Sequence, residues 1–101
     1  MRVCGLDDIV PDTGVCVLVE GAQVAVFRIG EQVFALGNRD PFSGANVLSR
    51  GIVGDLNGEL VVASPVYKQH FSLLTGRCIE DGSVSVPVYR ARLDGSSVLV
   101  E

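Results

Sequence analysis

The sequence predicts a single all-β domain built from antiparallel strands, and three observations support this fold class. Short segments rich in β-branched and aromatic residues recur along the 101 residues, separated by glycine-containing turns about every eight to twelve residues. No segment keeps an apolar repeat of 3.6 residues over three turns, so helix is a minor component at most. Hydrophobic residues make up 48% of the chain and charged residues 20%, which is typical of a packed core. We therefore expect one sandwich or small barrel over residues 1–101.

The first elements along the chain form a predicted β-meander. Its three strands are Val15–Val19, Gln23–Ile29 and Gln32–Leu36. The two connections, Glu20–Ala22 and Gly30–Glu31, are short and contain glycine, as tight hairpin turns do.

A long irregular segment follows, from Gly37 to Gly58. It is rich in Gly, Asn, Asp and Ser, which favour turns. Loops beyond about 12 to 15 residues are uncommon in compact domains and are often functional. Within this segment, Gly51–Gly54 is compatible with a short strand. The Asn57–Gly58 pair then predicts a hairpin turn into a strand at Glu59–Ala63, which ends before Pro65 because proline has no N–H for a ladder.

The last third of the chain is predicted to contain further short strands joined by turns. These strands are Gln69–Leu73, Arg77–Ile79, Val88–Leu93 and Ser97–Val100, with turns at Thr75–Gly76, Asp81–Gly82 and Asp94–Gly95. In Val88–Leu93, apolar residues alternate with Val88, Arg90 and Arg92, so one face of the strand is apolar and the other is mostly basic.

The charge pattern excludes several classes of function. The net charge is −4 and the eight Lys and Arg residues are scattered, so no basic stripe is available for nucleic acid. The longest stretch without a charged residue, Pro41–Ser49, has nine residues, whereas a membrane span needs about 18 or more. Asp7 and Asp8 occur before any apolar signal region can form. We therefore expect a soluble protein of the cytoplasm, without nucleic-acid or membrane partners.

The three cysteines, Cys4, Cys16 and Cys78, are far apart and form no Cys-x-x-Cys pair. This pattern favours reduced thiols over a disulfide framework, and we expect them to be small buried apolar residues. A zinc site formed by the three cysteines and His70 is the alternative, but the positions lack the paired spacing of structural zinc sites.

Two segments resemble the ligand loops of Rieske iron–sulfur domains. Asn38-Arg39-Asp40 matches the first loop, Cys-x-His, with Asn38 at the cysteine and Asp40 at the histidine. Ser64–Cys78 is similar to the second loop, Cys-Pro-x-His-Gly followed by an aromatic residue and a Thr-Gly turn, with Ser64 at the cysteine and Tyr67 at the histidine. A Rieske centre needs two cysteines and two histidines. All four ligand positions are substituted, so the resemblance implies a domain without a cluster.

Three segments are specifically similar to the small subunit of NAD(P)H-dependent nitrite reductase, namely Asn38–Gly44, Leu48–Asp55 and Ala63–Gln69. The resemblance implies a Rieske-like antiparallel β-sandwich with two apposed loops at the former cluster tip. It implies an accessory subunit with no catalytic residue, cofactor, metal or small-molecule substrate of its own. Flavin, an iron–sulfur cluster and sirohaem are then expected on a large subunit that reduces nitrite to ammonium for nitrate assimilation. His70 departs from the family pattern, where we expect a residue such as Asn.

The candidate site residues lie in these two loops and fall into two groups. Asn38, Asp40, Ser64 and Tyr67 are hydrogen-bonding groups that could hold the loops together as a polar clasp, although Asp40 could also simply open a turn before Pro41. The polar residues Arg39, Lys68, Gln69 and His70, together with Tyr67, are either a solvated rim or a docking surface for the large subunit. Arg and Tyr are enriched at the energetic centres of interfaces, which favours Arg39 and Tyr67 as contacts.

Other functions are less well supported by the residues. An acid–base site of Tyr67, Lys68 and His70 would need a pocket and a second carboxylate, which the sequence does not indicate. Gly51–Gly54 matches the Gly-x-x-Gly loop of KH domains, but its flanks are strand-like and the chain is acidic. No phosphate-binding glycine motif exists, so the pyridine nucleotide is expected on the partner. A free-standing binding or regulatory module and an active iron–sulfur ferredoxin are the remaining alternatives.

Overall fold

The computed structural model describes residues 1–101 and confirms the all-β fold class. Ten strands are present, at Arg2–Gly5 (β1), Gly14–Val19 (β2), Ala22–Ile29 (β3), Gln32–Gly37 (β4), Ile52–Leu56 (β5), Glu59–Ala63 (β6), His70–Ser72 (β7), Val88–Tyr89 (β8), Ala91–Asp94 (β9) and Ser97–Val100 (β10). Two single turns of 3-10 helix occur, at Leu6–Asp8 and Leu48–Arg50. No helix of the structure has the length and apolar character that crossing a bilayer requires.

The strands form three antiparallel sheets. A terminal sheet has the order β1-β10-β9, a central sheet the order β2-β3-β4-β8, and a third sheet the order β5-β6-β7. The meander β2-β3-β4 is regular, and β2 and β3 pair without interruption from Gly14↔Phe27 to Val19↔Ala22. Glu20 and Gly21, which connect them, both have positive φ, as two-residue hairpin turns that match the strand twist require.

The central sheet lies between the other two sheets and is buried on both faces. One core joins it to the terminal sheet and contains Ile9, Val19, Val24, Val26, Val33, Ala35, Val98 and Val100. The other core joins it to the third sheet and contains Ala25, Phe27, Leu36, Leu48, Val62, Phe71, Leu73, Cys78 and Val86. Alternate residues of β3 enter opposite cores, which explains why Val24–Phe27 is an unbroken apolar run.

Three differences from the predicted strands have structural causes. The strand predicted at Arg77–Ile79 is wrong, because this segment alternates between two neighbours: Cys78 N donates to Val84 O, and Ile79 N to His70 O. The strand predicted at Val88–Leu93 divides, because Val88–Tyr89 pairs with β4 and Ala91–Asp94 with β10. Strand β1 was not predicted; its partner β10 lies at the far end of the chain.

The cysteines differ in exposure, although all three are free thiols. Cys78 is fully buried in a core, as predicted, and Cys4 is half-buried. The prediction of burial is wrong for Cys16, which is exposed. It lies on an edge strand, and its side chain is on the opposite side of the strand from Val15 and Val17, which pack against the core with the terminal sheet.

Candidate functional site

The two loops with Rieske-like sequences meet through one buried hydrogen bond. The Ser64 hydroxyl donates to Asp40 Oδ2 over 2.5 Å. Both residues are fully buried. Ser64 directly follows β6 and Asp40 lies three residues after β4, so the bond joins the third sheet to the central sheet. The structure therefore brings together two of the four residues that the sequence places at ligand positions.

The other oxygen of Asp40 organises its own loop. Asp40 Oδ1 accepts hydrogen bonds from the N–H groups of Phe42, at 2.8 Å, and Ser43, at 3.4 Å. The main chain closes the same turn, because Asp40 N donates to Ala45 O and Gly44 N donates to Asp40 O. One carboxyl group thus both forms a turn around Pro41 and contacts the second loop.

Asn38 fastens the first loop to the body of the domain rather than to the second loop. Its Nδ2 donates to Gln23 Oε1 at 3.2 Å and to Asn46 O at 3.1 Å. Its Oδ1 accepts from Ser49 N at 2.8 Å. The side chain is 2% exposed. Gln23 and Ser49 did not emerge from the sequence, where the one available signal is a polar Gln23 beside the apolar run of β3.

The second loop is a turn closed mainly by its own backbone. Lys68 N donates to Ser64 O, Ser64 N donates to Gln69 O, and Val66 N donates to Ser64 Oγ. Lys68 has a φ of 65°, in the left-handed region that residues other than glycine seldom adopt. Tyr67 is 60% exposed and its hydroxyl makes no hydrogen bond within the chain. Tyr67 therefore lies on the surface and outside the Asp40–Ser64 contact.

The two loops present an apolar surface with cations beside it, which we call the tip patch: Arg39, Phe42, Val66, Tyr67 and Lys68. All five residues are exposed. Neither Arg39 nor Lys68 pairs with a carboxylate, because the contact of His70 with Glu80 is the only one within 4 Å between a basic side chain and a carboxylate in the structure. Lys68 Nζ donates to Pro65 O at 3.1 Å. Asp40, the carboxyl closest in sequence to Arg39, is buried, so the patch has an apolar and cationic surface.

His70 and Gln69 lie at the base of the second loop. Glu80 accepts hydrogen bonds from His70 N at 2.8 Å and contacts His70 Nδ1 at 2.6 Å through its other oxygen. Burial by itself would raise the pKa of Glu80, but the hydrogen bonds from the His70 main chain and ring lower it. Gln69 is half-buried, and its Oε1 has no hydrogen-bond partner. Glu80 is not among the candidate site residues predicted from the sequence.

No cavity supports an acid–base site at the second loop. A cleft along the first loop has a volume of about 570 Å³ and is lined mainly by Gln23, Asn38, Arg39, Asn46, Ser85 and Tyr89. Tyr67, Lys68 and His70 line neither this cleft nor any other in the structure.

Comparison with known proteins assigns this architecture to a class. A three-sheet β domain with two loops meeting at one tip is Rieske-like, and the family model described as "Rieske-like [2Fe-2S] domain" matches residues 1–101. The nitrite reductase (NADH) small subunit of Salmonella typhimurium is 54% identical over 94 residues, which cover 91% of this chain and 87% of that protein. The chain therefore belongs, within the Rieske-like domains, to the family of nitrite reductase small subunits.

Two further relatives are informative. The crystal structure of a putative NADH-dependent nitrite reductase small subunit from Mycobacterium tuberculosis has a TM-score of 0.95 and 50% identity, and the match covers 99% of this chain and 91% of that one. A nitrite reductase [NAD(P)H] large subunit from Klebsiella oxytoca is 42% identical over 98 residues, which cover 97% of this chain and 10% of that protein. A segment similar to this whole domain thus occurs inside a large subunit.

The residues at the tip do not fit the [2Fe-2S] cluster that the family description implies. A Rieske cluster is held by cysteine thiolates and histidine nitrogens, whereas the loops supply Asn38, Asp40, Ser64 and Tyr67. Asp40 and Ser64 bond directly to each other and Asn38 is bonded to the domain body. His70 Nδ1 contacts Glu80. No three His, Cys, Asp or Glu side chains are grouped so that they could hold a metal ion.

Proposed function

We propose that this chain is the accessory small subunit of a cytoplasmic NAD(P)H-dependent nitrite reductase, which reduces nitrite to ammonium in nitrate assimilation. We further propose that the chain itself has no redox centre and no autonomous activity. Membership of the small-subunit family supports the first statement. The donor set of the tip supports the second, because an amide, a carboxyl group and hydroxyls replace the thiolates and imidazoles of a Rieske site.

The partner in this proposal is the large subunit, with flavin, an iron–sulfur cluster and sirohaem. The Klebsiella oxytoca large subunit supports this choice, because a segment 42% identical to this domain is part of that polypeptide. A domain that is covalently joined to the partner in one protein is well suited to associate with it as a separate chain in another. Electrons then travel within the large subunit, and this chain contributes a surface.

The tip patch is the proposed docking surface. Arg39 and Tyr67 are of the residue types that contribute most at interface centres, and Gln69 and His70 extend the surface at its base. The Asp40–Ser64 bond and the Asn38 hydrogen bonds hold the two loops in one arrangement. Loops already ordered before association lose less conformational entropy on binding. The buried contacts at positions 38, 40 and 64 thus serve docking by fixing the loops that carry the exposed side chains.

The observation that carries this proposal is the contrast between the interior and the surface of the tip. Where the resemblance places four cluster ligands, three residues are buried hydrogen-bonding groups and the fourth, Tyr67, is 60% exposed. The interior of the tip has no thiolate or imidazole of the kind that holds a Rieske cluster, while the surface has a tyrosine and two cations without carboxylate partners.

Co-purification of this chain with its sirohaem-containing large subunit tests the subunit role. A complex with a dissociation constant in the micromolar range or tighter is expected. Absence of association at micromolar concentrations would contradict the subunit role and favour the free-standing module.

Variants of the patch test its role separately. Tyr67→Ala and Arg39→Glu are each expected to weaken the complex about tenfold or more, the size of a hot-spot loss. The matched control is Arg92→Glu, which reverses the charge of an exposed arginine on β9. If Tyr67→Ala and Arg39→Glu both bind like the unmodified chain, the large subunit docks elsewhere and the tip patch is not the interface.

A further inference from the structure

The six edges of the three sheets differ in how they are protected. Unpaired edge strands can recruit other strands, and proteins block them with charges, proline, irregular pairing, short length or a covering segment. β1 has a register shift between Arg2 and Cys4, and β9 carries Arg92 and Asp94. β8 has two residues and follows Pro87. β5 contains Asp55, and β7 is covered by hydrogen bonds from the segment 77–79.

β2 is the one edge that has neither a charge, a proline, irregular pairing nor short length, although its first residue, Gly14, lies against the segment 48–50. Gly14–Val19 is the longest of the six edge strands, with no charged residue and no proline. Its pairing with β3 is continuous over six residues. Apart from this ladder, no backbone group of residues 14–19 makes a hydrogen bond to another backbone group.

The direction of the free backbone groups of β2 follows from the hydrogen bonds of β3. Gln23 O accepts from Asn38 N, on the side of β3 where β4 lies, whereas Arg28 N donates to Thr13 O, on the side where β2 lies. Because these directions alternate along an antiparallel strand, the even-numbered residues of β3 face β2. These even-numbered residues of β3 pair with Val15, Val17 and Val19, whose N–H and C=O groups therefore face β3. The N–H and C=O groups of Cys16 and Leu18 therefore point away from the sheet, and both side chains are exposed, Leu18 by 64%.

We propose that the β2 edge binds an extended segment of another protein by strand addition, and that this segment is apolar with a cationic residue near each end. Strand addition obtains affinity from main-chain hydrogen bonds and specificity from the alternate side chains. Cys16 Sγ lies 3.5 Å from Asn38 Nδ2, so an added strand would lie next to the first loop. The inference does not require the nitrite reductase large subunit as the partner.

The charge of the partner segment follows from the residues at the two ends of β2. Asp12 and Glu20 are exposed and carry carboxylates just before and just after the strand. Both have positive φ, so the chain turns away at each end and leaves the strand between them free. The nearby Arg28 does not neutralise them, because its guanidinium donates to the carbonyls of Gly30, Leu6 and Ile9. Cations at both ends of an added strand would meet these carboxylates.

A second copy of this chain fits the edge less well. In an antiparallel pair related by a two-fold axis at Cys16, Glu20 of one copy lies opposite Asp12 of the other, since each is four residues from Cys16. Like charges directly opposite each other destabilise a strand pair. In this register the charge pattern favours a partner of different sequence, whereas an axis at Val17 places Glu20 opposite Gly14, so dimerisation of the chain is measured as a separate outcome of the test.

The test is a titration of the full chain with a short peptide of alternating Val and Thr that has a Lys at each end, followed by amide NMR. The matched control peptide has Glu in place of both Lys residues. Saturable shifts centred on Cys16 and Leu18, slowed exchange of their amides, and about tenfold weaker binding of the Glu peptide are the expected results. No binding, or shifts confined to other surfaces, would overturn the proposal. Equal binding of both peptides would overturn the charge assignment.

Two variants of the chain complete the test. Leu18→Pro removes an outward N–H without touching the ladder to β3, and Leu18→Lys places a cation on the edge and leaves the backbone intact should the proline variant fail to fold. Leu18→Pro is expected to abolish binding of the Lys peptide, and Leu18→Lys is expected to weaken it about tenfold. Unchanged binding in a folded variant overturns strand addition at β2. Concentration-dependent dimerisation of the unmodified chain that Leu18→Lys removes would assign the edge to a second copy instead.

Discussion

The two loops of the tip are held in place by different means. The first loop is fixed by buried polar side chains, those of Asn38 and Asp40, which bond to the central sheet, to their own turn and to Ser64. The second loop is closed by its backbone and exposes its long side chains, among them Tyr67 and Lys68. The first loop is therefore held rigidly by its side chains, whereas the second supplies most of the exposed side chains of the tip patch.

The largest loss of stability is expected for Asp40→Ala, which removes the acceptor of the hydrogen bonds from the Ser64 hydroxyl and from Phe42 N–H. The buried Ser64 hydroxyl left without a partner costs about 1 to 3 kcal/mol and the lost hydrogen bond from the less buried Phe42 N–H about 0.5 to 1.5 kcal/mol, so the free energy of unfolding should fall by about 2 to 4 kcal/mol in denaturant titrations. Asp55→Ala is the control, because Asp55 accepts a similar hydrogen bond from Gly58 N but is exposed. Equal losses in the two variants would contradict a special role for burial in the first loop.

Asn38→Ala should have the next largest effect. It leaves Ser49 N–H and the Asn46 carbonyl without their partner, at an expected cost of about 1 to 3 kcal/mol. Hydrogen exchange of the Ser49 amide should accelerate. Asn46→Ala removes an exposed amide from the same loop and should cost less than about 0.5 kcal/mol. If Asn46→Ala destabilises the chain more than Asn38→Ala, the attachment of the first loop is misassigned.

Substitutions of Lys68 examine the backbone of the second loop. Lys68 has a φ of 65°. Because glycine adopts this conformation freely, Lys68→Gly should change the free energy of unfolding by less than about 1 kcal/mol. Lys68→Val should cost about 1 to 2 kcal/mol more than Lys68→Gly, because a β-branched residue is poorly tolerated there. Thermal unfolding of both variants measures the difference. Equal stability would mean that the left-handed turn is not maintained in solution.

The smallest effect is expected at the base of the second loop, where Glu80 pairs with His70. The pKa of Glu80 is lower in the folded chain than its ordinary value, about 4.3 in an unfolded chain. Ionised Glu80 therefore contributes to the free energy of unfolding above that pH, and this contribution is lost as the pH falls through the pKa of the folded chain. Glu80→Gln should reduce stability at neutral pH by less than about 1 kcal/mol, as exposed pairs do.

The pH dependence provides the check on the Glu80 prediction. The difference in stability between Glu80→Gln and the unmodified chain should shrink as the pH falls below 4. The pKa of Asp81 is lowered by hydrogen bonds from the Ser83 hydroxyl and N–H, and this contribution cancels because both proteins retain Asp81. A difference that stays constant down to low pH would show that ionisation of Glu80 is not involved.

Local sequence signals predict a strand with its observed bounds when a turn motif fixes the point at which that strand begins. Glu59–Ala63 and Ser97–Val100 are predicted with their observed bounds, because Asn57–Gly58 and Gly95 fix the preceding turns. The second turn is shifted by one residue from the predicted Asp94–Gly95, because Asp94 ends β9 and the turn residues are Gly95 and Ser96. Strand β1 was missed because it depends on β10, more than 90 residues away. The interruption between β8 and β9 also depends on distant partners, because β8 pairs with β4 and β9 with β10. The alternation of apolar and polar residues continues through this change of sheet, so the sequence does not reveal it.

The candidate site was predictable in its residues and only partly in its contacts. The motif resemblance identified Asn38, Asp40, Ser64 and Tyr67, but no local pattern indicates that Asn38 bonds to Gln23 and Ser49. The Asp40–Ser64 bond spans 24 residues, and its partners are determined by how the third sheet packs on the central one. Glu80 likewise reaches His70 only through the irregular segment that follows β7.

Both ends of the chain lie side by side in the terminal sheet, where Val100 N donates to Met1 O at 2.9 Å and Arg2 pairs with Leu99. A polypeptide that enters and leaves a domain at neighbouring points can be joined to a longer gene product without breaking a strand or opening either core. Gene fusion would then turn an encounter between two chains into an intramolecular one, in which linker length rather than expression level sets the effective concentration. In the Klebsiella oxytoca large subunit, the segment that is 42% identical to this chain is part of a longer polypeptide.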